Sequence, residues 1–238
     1  MDYHYFKERL NRFYDGYIDP DTRPTFFDIQ QTLPALQKIT EHFSIIQTEY
    51  QQARAHILQL PQYHEVDPGE VEISQACEKR WNVMMLHLLG YEMTEFHQLF
   101  PTTFQLLHEI PGLIQAFFSV LDPGKSIPLH EGPYRGYLRY HLGIQIPRAN
   151  PPSIIVNNQP YTWREGEAVL FDDSWPHEVR NHSHEPRTVL IIDMLRPLPF
   201  IPQLLNRFTT YIIARYFYGR PVVRRAQQYG MQIKPLLD

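Results

Sequence analysis

The sequence predicts a mainly β protein with flanking helices, built on a double-stranded β-helix, the cupin-like jelly roll. From Ala116 onward, short apolar runs of strand length alternate with turn sequences about every 8–12 residues, which is typical of sandwiches and jelly rolls. Before that point, apolar residues recur at steps of three and four between Leu36 and Ile57, as on one face of a helix. The third observation is a histidine in each of two well-separated strand regions, at His130 and His177.

The first half of the chain is expected to supply helices and the first strand. We predict a short helix near 3–14 and a longer one over 33–58, with Thr32 as its N-cap. Residues 61–80 have loop composition. A strand over 81–89 and a short helix over 102–109 follow.

The second half is expected to form the strands of the jelly roll and one C-terminal helix. We treat the whole chain as a single domain, with helical support and first strands in 1–110, the core and site in 111–197, and a basic helix and tail in 198–238. The predicted strands are 116–121, 138–146, 153–156, 161–163, 168–171, a strand from His177, and 188–193, followed by a helix over 202–218.

Composition narrows the class of protein. The chain is 43% hydrophobic and 20% charged, as expected for a globular domain. Its single cysteine, Cys77, excludes an intrachain disulfide framework and a cysteine-based zinc site. We see no signal peptide and no apolar run of the roughly 18–20 residues that a membrane span needs. We therefore expect a cytoplasmic protein, and no nucleic-acid partner.

Charge is unevenly distributed along the chain. The segment from Arg196 to the end has seven basic residues and one acidic residue, although the whole chain carries a net charge of −4. The predicted helix over 202–218 combines arginines with aromatic residues, as interfacial helices do. Two interpretations stay open: peripheral contact with the inner face of a membrane, or packing of the tail on its own acidic domain.

The two histidine segments resemble part of an iron site. Oxygenases of the 2-oxoglutarate class usually hold Fe(II) with His-x-Asp/Glu and a distant histidine. Because side chains two residues apart share one face of a strand, Gly132 occupies the carboxylate position after His130, and Glu131 points away. His177 lies 47 residues after His130.

Other polar residues in the strands complete a candidate site. Arg187, ten residues after His177, presents a guanidinium fork suited to the far carboxylate of 2-oxoglutarate. Arg139 and His141 share a strand face, where they could reach the near carboxylate or order the outer shell of the metal. Asp172 or Asp173 could bind a metal water or orient a histidine, and we assign this catalytic role to Asp173.

Linked motifs give the chain a resemblance to the aspartyl/asparaginyl β-hydroxylase family of Fe(II)/2-oxoglutarate oxygenases. The resemblance implies iron on His130 and His177 with no protein carboxylate, which accounts for Gly132. It further implies 2-oxoglutarate on Arg187 with Ser119, its other end on His141 and Arg139, and O₂ as oxidant. The motifs are His130-Glu131-Gly132-Pro133, Leu138-Arg139-Tyr140-His141-Leu142-Gly143, Trp163-Arg164-Glu165-Gly166-Glu167 and Phe171-Asp172-Asp173-Ser174-Trp175-Pro176-His177-Glu178-Val179.

The expected reaction converts 2-oxoglutarate to succinate and CO₂ while an unactivated C–H is hydroxylated. The first-named substrate is the β-carbon of an Asp or Asn residue or amino-acid derivative. The family resemblance extends to bacterial lipid A hydroxylases, so a lipid acyl chain is the alternative. Two other classes stay open: a cupin-like binding protein without catalysis, and a zinc hydrolase using His130, His141 and His177.

Overall fold

The computed structural model describes residues 3–19, 21, 23–57 and 59–230, and it confirms the jelly-roll fold. Two antiparallel sheets, with strand orders β1-β9-β6-β11-β4-β2-β3 and β5-β10-β7-β8, make up the core. Their strands are β1 Phe26–Phe27, β2 Trp81–Leu88, β3 Tyr91–Glu92, β4 Leu113–Leu121, β5 Ile127–His130, β6 Tyr137–Gln145, β7 Ser153–Val156, β8 Gln159–Thr162, β9 Ala168–Phe171, β10 His177–Arg180 and β11 Arg187–Leu195.

Helices precede and follow these strands. The N-terminal ones begin as predicted near residue 3, and the C-terminal ones follow β11. They are α1 Tyr3–Asp15, α2 Ile29–Thr32, α3 Ala35–Glu41, α4 Phe43–His56, α5 Tyr63–Val66, α6 Val71–Ser74, α7 Pro101–His108, α8 Phe200–Phe208, a π-helical segment Thr209–Gly219 and α9 Arg220–Gly230. Within the described residues, no helix has the length and apolar character needed to span a bilayer.

The large sheet separates a helix-covered face from a site-bearing face. Side chains alternate between the two faces of a strand, so Tyr140 of β6 meets the helices and its neighbour His141 does not. The Tyr140 hydroxyl lies 2.9 Å from Thr40 Oγ1 of α3, and the Phe118 ring of β4 lies 4.8 Å from that of Tyr50 in α4. The opposite face of the same strands looks toward the small sheet.

The predicted helix over 33–58 forms two separate helices, α3 and α4. Residue 58, at the end of the predicted range, lies outside the described residues. The break is at His42, whose backbone leaves the helical region (φ −94°, ψ 15°) between α3 and α4. Thr32 as N-cap is wrong: it ends α2, which Asp28 caps by accepting a hydrogen bond from the Gln31 amide at 2.7 Å. Pro34 occupies the N-cap position of α3 instead.

The expected loop over 61–80 is also partly helical. Gln62 and Glu65 form a capping box at α5, and the Asp67 carboxylate accepts from the Gly69 amide at 3.0 Å to start a 3₁₀ turn. These local hydrogen bonds stabilise single turns that have no apolar periodicity. The C-terminal helix is longer than the predicted 202–218, because it begins at Phe200 and runs through the π-helical segment into α9.

A test of this packing concerns Glu49, a buried residue of α4 that caps α7. Its carboxylate accepts from the amides of Thr102 (2.7 Å) and Thr103 (3.0 Å) and from the Thr103 hydroxyl (2.6 Å). Glu49→Ala should lower the free energy of unfolding by about 1–3 kcal/mol, because buried donors lose their acceptor. Urea unfolding measures this. The exposed neighbour Gln51 gives the control Gln51→Ala, and equal stability of both variants would contradict the capping role.

Candidate functional site

Two imidazoles meet where the small sheet pairs its strands. His130 ends β5 and His177 begins β10, and the antiparallel register places them directly opposite each other. Their ring centroids are 4.1 Å apart. The strand pairing therefore brings together two residues that are 47 positions apart in the sequence.

Both imidazoles are oriented in the same way. Nδ1 of His130 lies 2.8 Å from the Pro128 carbonyl, and Nδ1 of His177 lies 2.8 Å from the Trp175 carbonyl. A carbonyl can only accept, so each Nδ1 donates, and Nε2 is the ring nitrogen left to bind a ligand. Burial, and then the neighbouring His177, lowers the pKa of His130 to about 4, so this imidazole is neutral near pH 7.

Two imidazoles in this form could bind a divalent metal ion. Neutral imidazoles that donate through one nitrogen and offer the other are the usual form of metal-ligating histidine. Asp173 Oδ1 lies 3.3 Å from His177 Nε2, so a carboxylate oxygen and a ring nitrogen converge on the same space. A cation there would satisfy both groups. Across the described residues, no set of three His, Cys, Asp or Glu side chains is arranged to hold a metal, so the three-histidine zinc site does not form.

Gly132 leaves room for a carboxylate that comes from another strand. A Cβ at Gly132 would clash with Asp173 Oδ2 and lie 2.6 Å from the Tyr137 hydroxyl. Its amide donates to the Asp173 carbonyl at 2.8 Å, while Glu131 is exposed. The exposure of Glu131 agrees with the expectation that it points away from the histidines. The space that a carboxylate at position 132 would fill is taken by the carboxylate of Asp173.

Arg139 anchors this carboxylate to the large sheet. Its NH1 donates to Asp173 Oδ1 at 2.8 Å, and its Nε and NH2 donate to the two oxygens of Asp193 at 2.7 and 2.8 Å. The Tyr137 hydroxyl also donates to Asp173. Arg139 was expected to bind the co-substrate, and that role stays a prediction which this arrangement disfavours, because both sides of the guanidinium already face carboxylates.

Charges in this cluster are mutually stabilised. Burial would raise the pKa of the Asp173 carboxyl, but Arg139, His177 and the Tyr137 hydroxyl outweigh burial and hold that pKa below its ordinary value. Burial also acts against the charge of Arg139, yet Asp173 and Asp193 raise its pKa well above the usual range. Asp173 is thus an anion that can accept a proton or a hydrogen bond beside the two histidines.

A second group of buried polar side chains lies around Arg187, and several of its nitrogen atoms have no hydrogen-bond partner among the described residues. Arg187 is 1% exposed, its NH1 donates to Ser119 Oγ at 3.3 Å, and its Cζ lies 4.3 Å from the Trp163 ring centroid. The His141 ring stacks against the Trp163 ring, with centroids 5.8 Å apart. No described residue hydrogen-bonds to Arg187 Nε, Trp163 Nε1 or either ring nitrogen of His141.

Buried polar atoms are almost always paired in folded proteins, so this group has hydrogen-bonding capacity for a bound ligand or water. Burial lowers the pKa of Arg187 to about 9 because no carboxylate among the described residues compensates its charge. Burial, and then Arg139 and Arg187, lowers the pKa of His141 well below its ordinary value, so it is neutral. A neutral imidazole, an indole N–H and a guanidinium are together suited to a carboxylate.

Asp172 has a different role from its neighbour. It is fully buried and pairs with Arg23 (2.9 Å) and Arg196 (2.6 Å), and it accepts from the amide and hydroxyl of Ser174. These contacts fix the turn between β9 and β10. Asp172 therefore shapes the loop that delivers Asp173 and His177, and does not face the histidines.

A cavity of about 650 Å³ opens onto the His130 side of the site. His130, Gly132, Arg139, Asp173 and Asp193 line its inner end. The walls are mostly apolar, with further carboxylates at Asp67 and Glu70, and one face of the C-terminal π-helical segment contributes Ile213 and Ala214. The cavity offers space for an elongated, largely apolar substrate.

Sequence reasoning missed Asp193 and Tyr137 as parts of the site. Asp193 ends an apolar run and was treated only as a strand residue. A buried aspartate among apolar neighbours requires a countercharge, and Arg139 is its register partner on β6. That signal was present, but the register of the two strands was needed to use it. His87, at 9% exposure, accepts from the Gly90 amide within the sheet and is remote from the paired histidines.

Comparisons with known proteins agree with this geometry. The sequence profile of the aspartyl/asparaginyl β-hydroxylase family matches residues 40–197. An ornithine lipid ester-linked acyl 2-hydroxylase from Rhizobium tropici is 34% identical over 176 residues, 74% of this chain and 62% of that protein. Human aspartyl/asparaginyl β-hydroxylase is 35% identical over 102 residues, 41% of this chain and 13% of that protein.

The chain thus spans less than two thirds of the length of these relatives. Among solved structures, a predicted oxalate decarboxylase from Thermotoga maritima aligns with 50% of this chain and 84% of its own, at 16% identity and a TM-score of 0.31. Family membership rests on the profile, which covers most of the chain and all the residues of the site. The chain belongs to the aspartyl/asparaginyl β-hydroxylase family, a family of hydroxylases.

Proposed function

We propose that this protein is an Fe(II)- and 2-oxoglutarate-dependent dioxygenase that hydroxylates an unactivated C–H bond. The observation that carries the proposal is the juxtaposition of two kinds of incomplete site. His130 and His177 offer two ring lone pairs beside Asp173. Arg187 of β11 is a buried cation without a carboxylate partner among the described residues, and His141 of the adjacent β6 interacts electrostatically with both Arg187 and His177. A metal and a dicarboxylate would complete both.

His130 and His177 would hold the iron. When bound with 2-oxoglutarate and O₂, iron would supply the oxidising chemistry, in which one oxygen atom enters the substrate and the other enters succinate as CO₂ leaves. The carbonyls of Pro128 and Trp175 keep the two rings in position by accepting from Nδ1. Asp173 would accept a hydrogen bond from a water in the space beside His177.

Arg187 would bind the far carboxylate of 2-oxoglutarate, with the Ser119 hydroxyl beside it. Ser119 Oγ already accepts from Trp81 Nε1 at 2.9 Å and from Arg187 at 3.3 Å, so its own proton is available for a carboxylate oxygen. The unpaired nitrogens of His141 and Trp163 lie in the same buried group. Burial of the guanidinium excludes water and strengthens its attraction for an anion.

For the substrate we favour the acyl chain of a polar lipid. A relative that aligns with 74% of this chain is an ornithine lipid acyl 2-hydroxylase, and the cavity walls are mostly apolar. The carboxylates that line the cavity outnumber its one arginine, Arg139, which disfavours an aspartate side chain as ligand. The β-carbon of an Asp or Asn residue remains the second candidate, because the human relative carries that name and the family profile matches.

Turnover is the direct test of the reaction. Protein loaded anaerobically with Fe(II) and 2-oxoglutarate, then exposed to O₂ with ornithine lipid in detergent or with an Asp-containing peptide, should release succinate and a product heavier by one oxygen atom. His130→Ala and His177→Ala should each reduce this more than about a hundredfold, because each removes a metal ligand. His182→Ala, at an exposed histidine in the loop between β10 and β11, is the control. Turnover by either site variant at the control rate would overturn the assignment.

Arg187 provides a second test, through stability. Below about pH 9 the buried charge of Arg187 lowers the free energy of unfolding. This destabilisation declines only as the pH rises above the lowered pKa of Arg187. Arg187→Met should therefore raise the free energy of unfolding of the ligand-free protein by about 1–3 kcal/mol. It should also raise the KM for 2-oxoglutarate at least about tenfold, since a charge-assisted bond is lost.

The matched comparison is Arg196→Met, which removes an equally buried arginine that is paired with Asp172. That variant should lower the free energy of unfolding, by about 3–5 kcal/mol, because it leaves Asp172 with less countercharge. Chemical unfolding with and without 2-oxoglutarate measures both variants. Destabilisation by Arg187→Met with an unchanged KM would remove Arg187 from the site.

A further inference from the structure

The C-terminal helices expose an unusual amount of apolar surface. Seven large apolar side chains, between 53% and 82% exposed, lie in the first part of this region: Phe200, Ile201, Leu204, Phe208, Ile212, Tyr216 and Phe217. We call these residues the outer face. Isolated exposed apolar residues are ordinary, whereas a contiguous group marks a binding surface.

The change from α-helix to π-helix keeps this surface on one side. The outer face includes a residue at every fourth position from Phe200 to Tyr216. A four-residue step slightly exceeds an α-helical turn of about 3.6 residues, so the stripe drifts one way along α8. In the wider i→i+5 geometry of the π-helical segment from Thr209, the same step falls short of a turn, and the drift reverses.

The opposite side of these helices is firmly attached to the domain. Asn206 is fully buried and donates to the Gly136 carbonyl at 2.6 Å, and the Tyr211 hydroxyl donates to the Leu113 carbonyl at 2.9 Å. Thr209 and Thr210 are buried against the same region. The outer face is therefore presented by a fixed element and is not the product of a helix lying loose on the surface.

Charge identifies what this surface binds. Residues 200–230 contain five arginines and no acidic residue. Arg207, Arg220 and Arg224 are exposed, and none pairs with a carboxylate among the described residues. Packing of α9 does bring part of the tail onto its own domain, through buried Val222 and Val223, but it leaves these three charges free for a partner.

A second copy of this chain is a poor occupant for the surface. In a two-fold dimer the same patch meets itself, so the arginines of one copy would face those of the other. Apolar side chains flanked by unpaired arginines instead match the boundary of an anionic bilayer, where acyl chains accept the former and headgroup phosphates the latter.

We propose that the outer face, with Arg207, Arg220 and Arg224, docks on the surface of a bilayer containing anionic lipids. The same π-helical segment lines the cavity with its inner side, through Thr209, Thr210, Ile213, Ala214 and Tyr218. One helix thus separates the docking surface from the cavity. Resting on the proposed function, this places the reactive site beside a membrane-held acyl chain.

Vesicle binding by the full chain tests the docking surface. The protein should co-sediment with vesicles of mixed phosphatidylcholine and phosphatidylglycerol, and more weakly with phosphatidylcholine alone or at high salt. Leu204→Ser/Phe208→Ser/Ile212→Ser should weaken partitioning at least about tenfold. Arg207→Glu/Arg220→Glu/Arg224→Glu should weaken binding to the anionic vesicles, by about fivefold or more for each charge near the surface.

Matched controls use exposed residues elsewhere on the domain. Ile45→Ser/Val71→Ser removes exposed apolar surface from α4 and α6, and Arg148→Glu/Arg164→Glu/Arg180→Glu changes the net charge by the same amount as the arginine variant. Both controls should bind vesicles like the unaltered protein. Thermal unfolding should show that all variants are folded, since each altered side chain is exposed.

Several outcomes would overturn the proposal: no vesicle binding by the unaltered protein, equal binding by the outer-face variants, or a concentration-dependent dimer that those variants abolish. The outer-face variants should keep their succinate release with detergent-dispersed lipid, because none of the altered residues lines the cavity. If neither the unaltered protein nor any variant releases succinate, but the unaltered protein still binds vesicles, the proposed function is overturned and the docking surface is not.

Discussion

The guanidinium of Arg139 joins the two sheets at the point where the candidate site forms. It projects from β6, pairs with Asp193 on the neighbouring strand of the large sheet, and reaches Asp173 in the turn before β10. Asp173 in turn fills the space beside Gly132, just after β5. Removal of this cation would leave two buried carboxylates without their principal countercharge, which costs several kcal/mol. The relative position of the paired histidines depends on it.

The buried arginines of this protein fall into two groups. Arg23 and Arg196, and the half-buried Arg139, each face a buried carboxylate, and they fix the scaffold. Arg187 is buried as deeply as these and has only a serine hydroxyl and the face of an indole. A buried cation without a countercharge attracts an anion, which supports the proposal that Arg187 binds a carboxylate. The neighbouring unpaired nitrogens of His141 and Trp163 point to the same conclusion.

How far the sequence could predict this site depends on which contacts are local. The two-residue period of a strand predicted that Glu131 points away from the site and marked Gly132 as the informative residue, although β5 ends at His130, before both residues. It could not identify Asp173 as the group that fills the space, because Asp173 arrives from a turn 41 residues later. The pairing of Arg139 with Asp193 likewise required the register of β6 and β11, which no short-range pattern encodes.

The helices show the same limit. Apolar periodicity located α4 but overlooked the break at His42, and it could not foresee single turns such as α5 that are stabilised by capping hydrogen bonds. It also predicted an ordinary helix where the chain adopts π-helical geometry from Thr209. The apolar stripe of that region was visible in the sequence. Which of its sides faces the domain was decided only by the buried contacts of Asn206 and Tyr211.

We propose that the paired histidines hold iron and that Arg187 completes a site for 2-oxoglutarate beside it. An anaerobic optical titration of 2-oxoglutarate into the Fe(II)-loaded protein tests it most directly, because a 2-oxo acid that chelates Fe(II) gives a visible charge-transfer band. We predict a saturable band with one equivalent of each component, which is lost in His177→Ala and shifted to higher 2-oxoglutarate concentration in Arg187→Met. Absence of the band in the unaltered protein, or its persistence unchanged in both variants, would contradict the account.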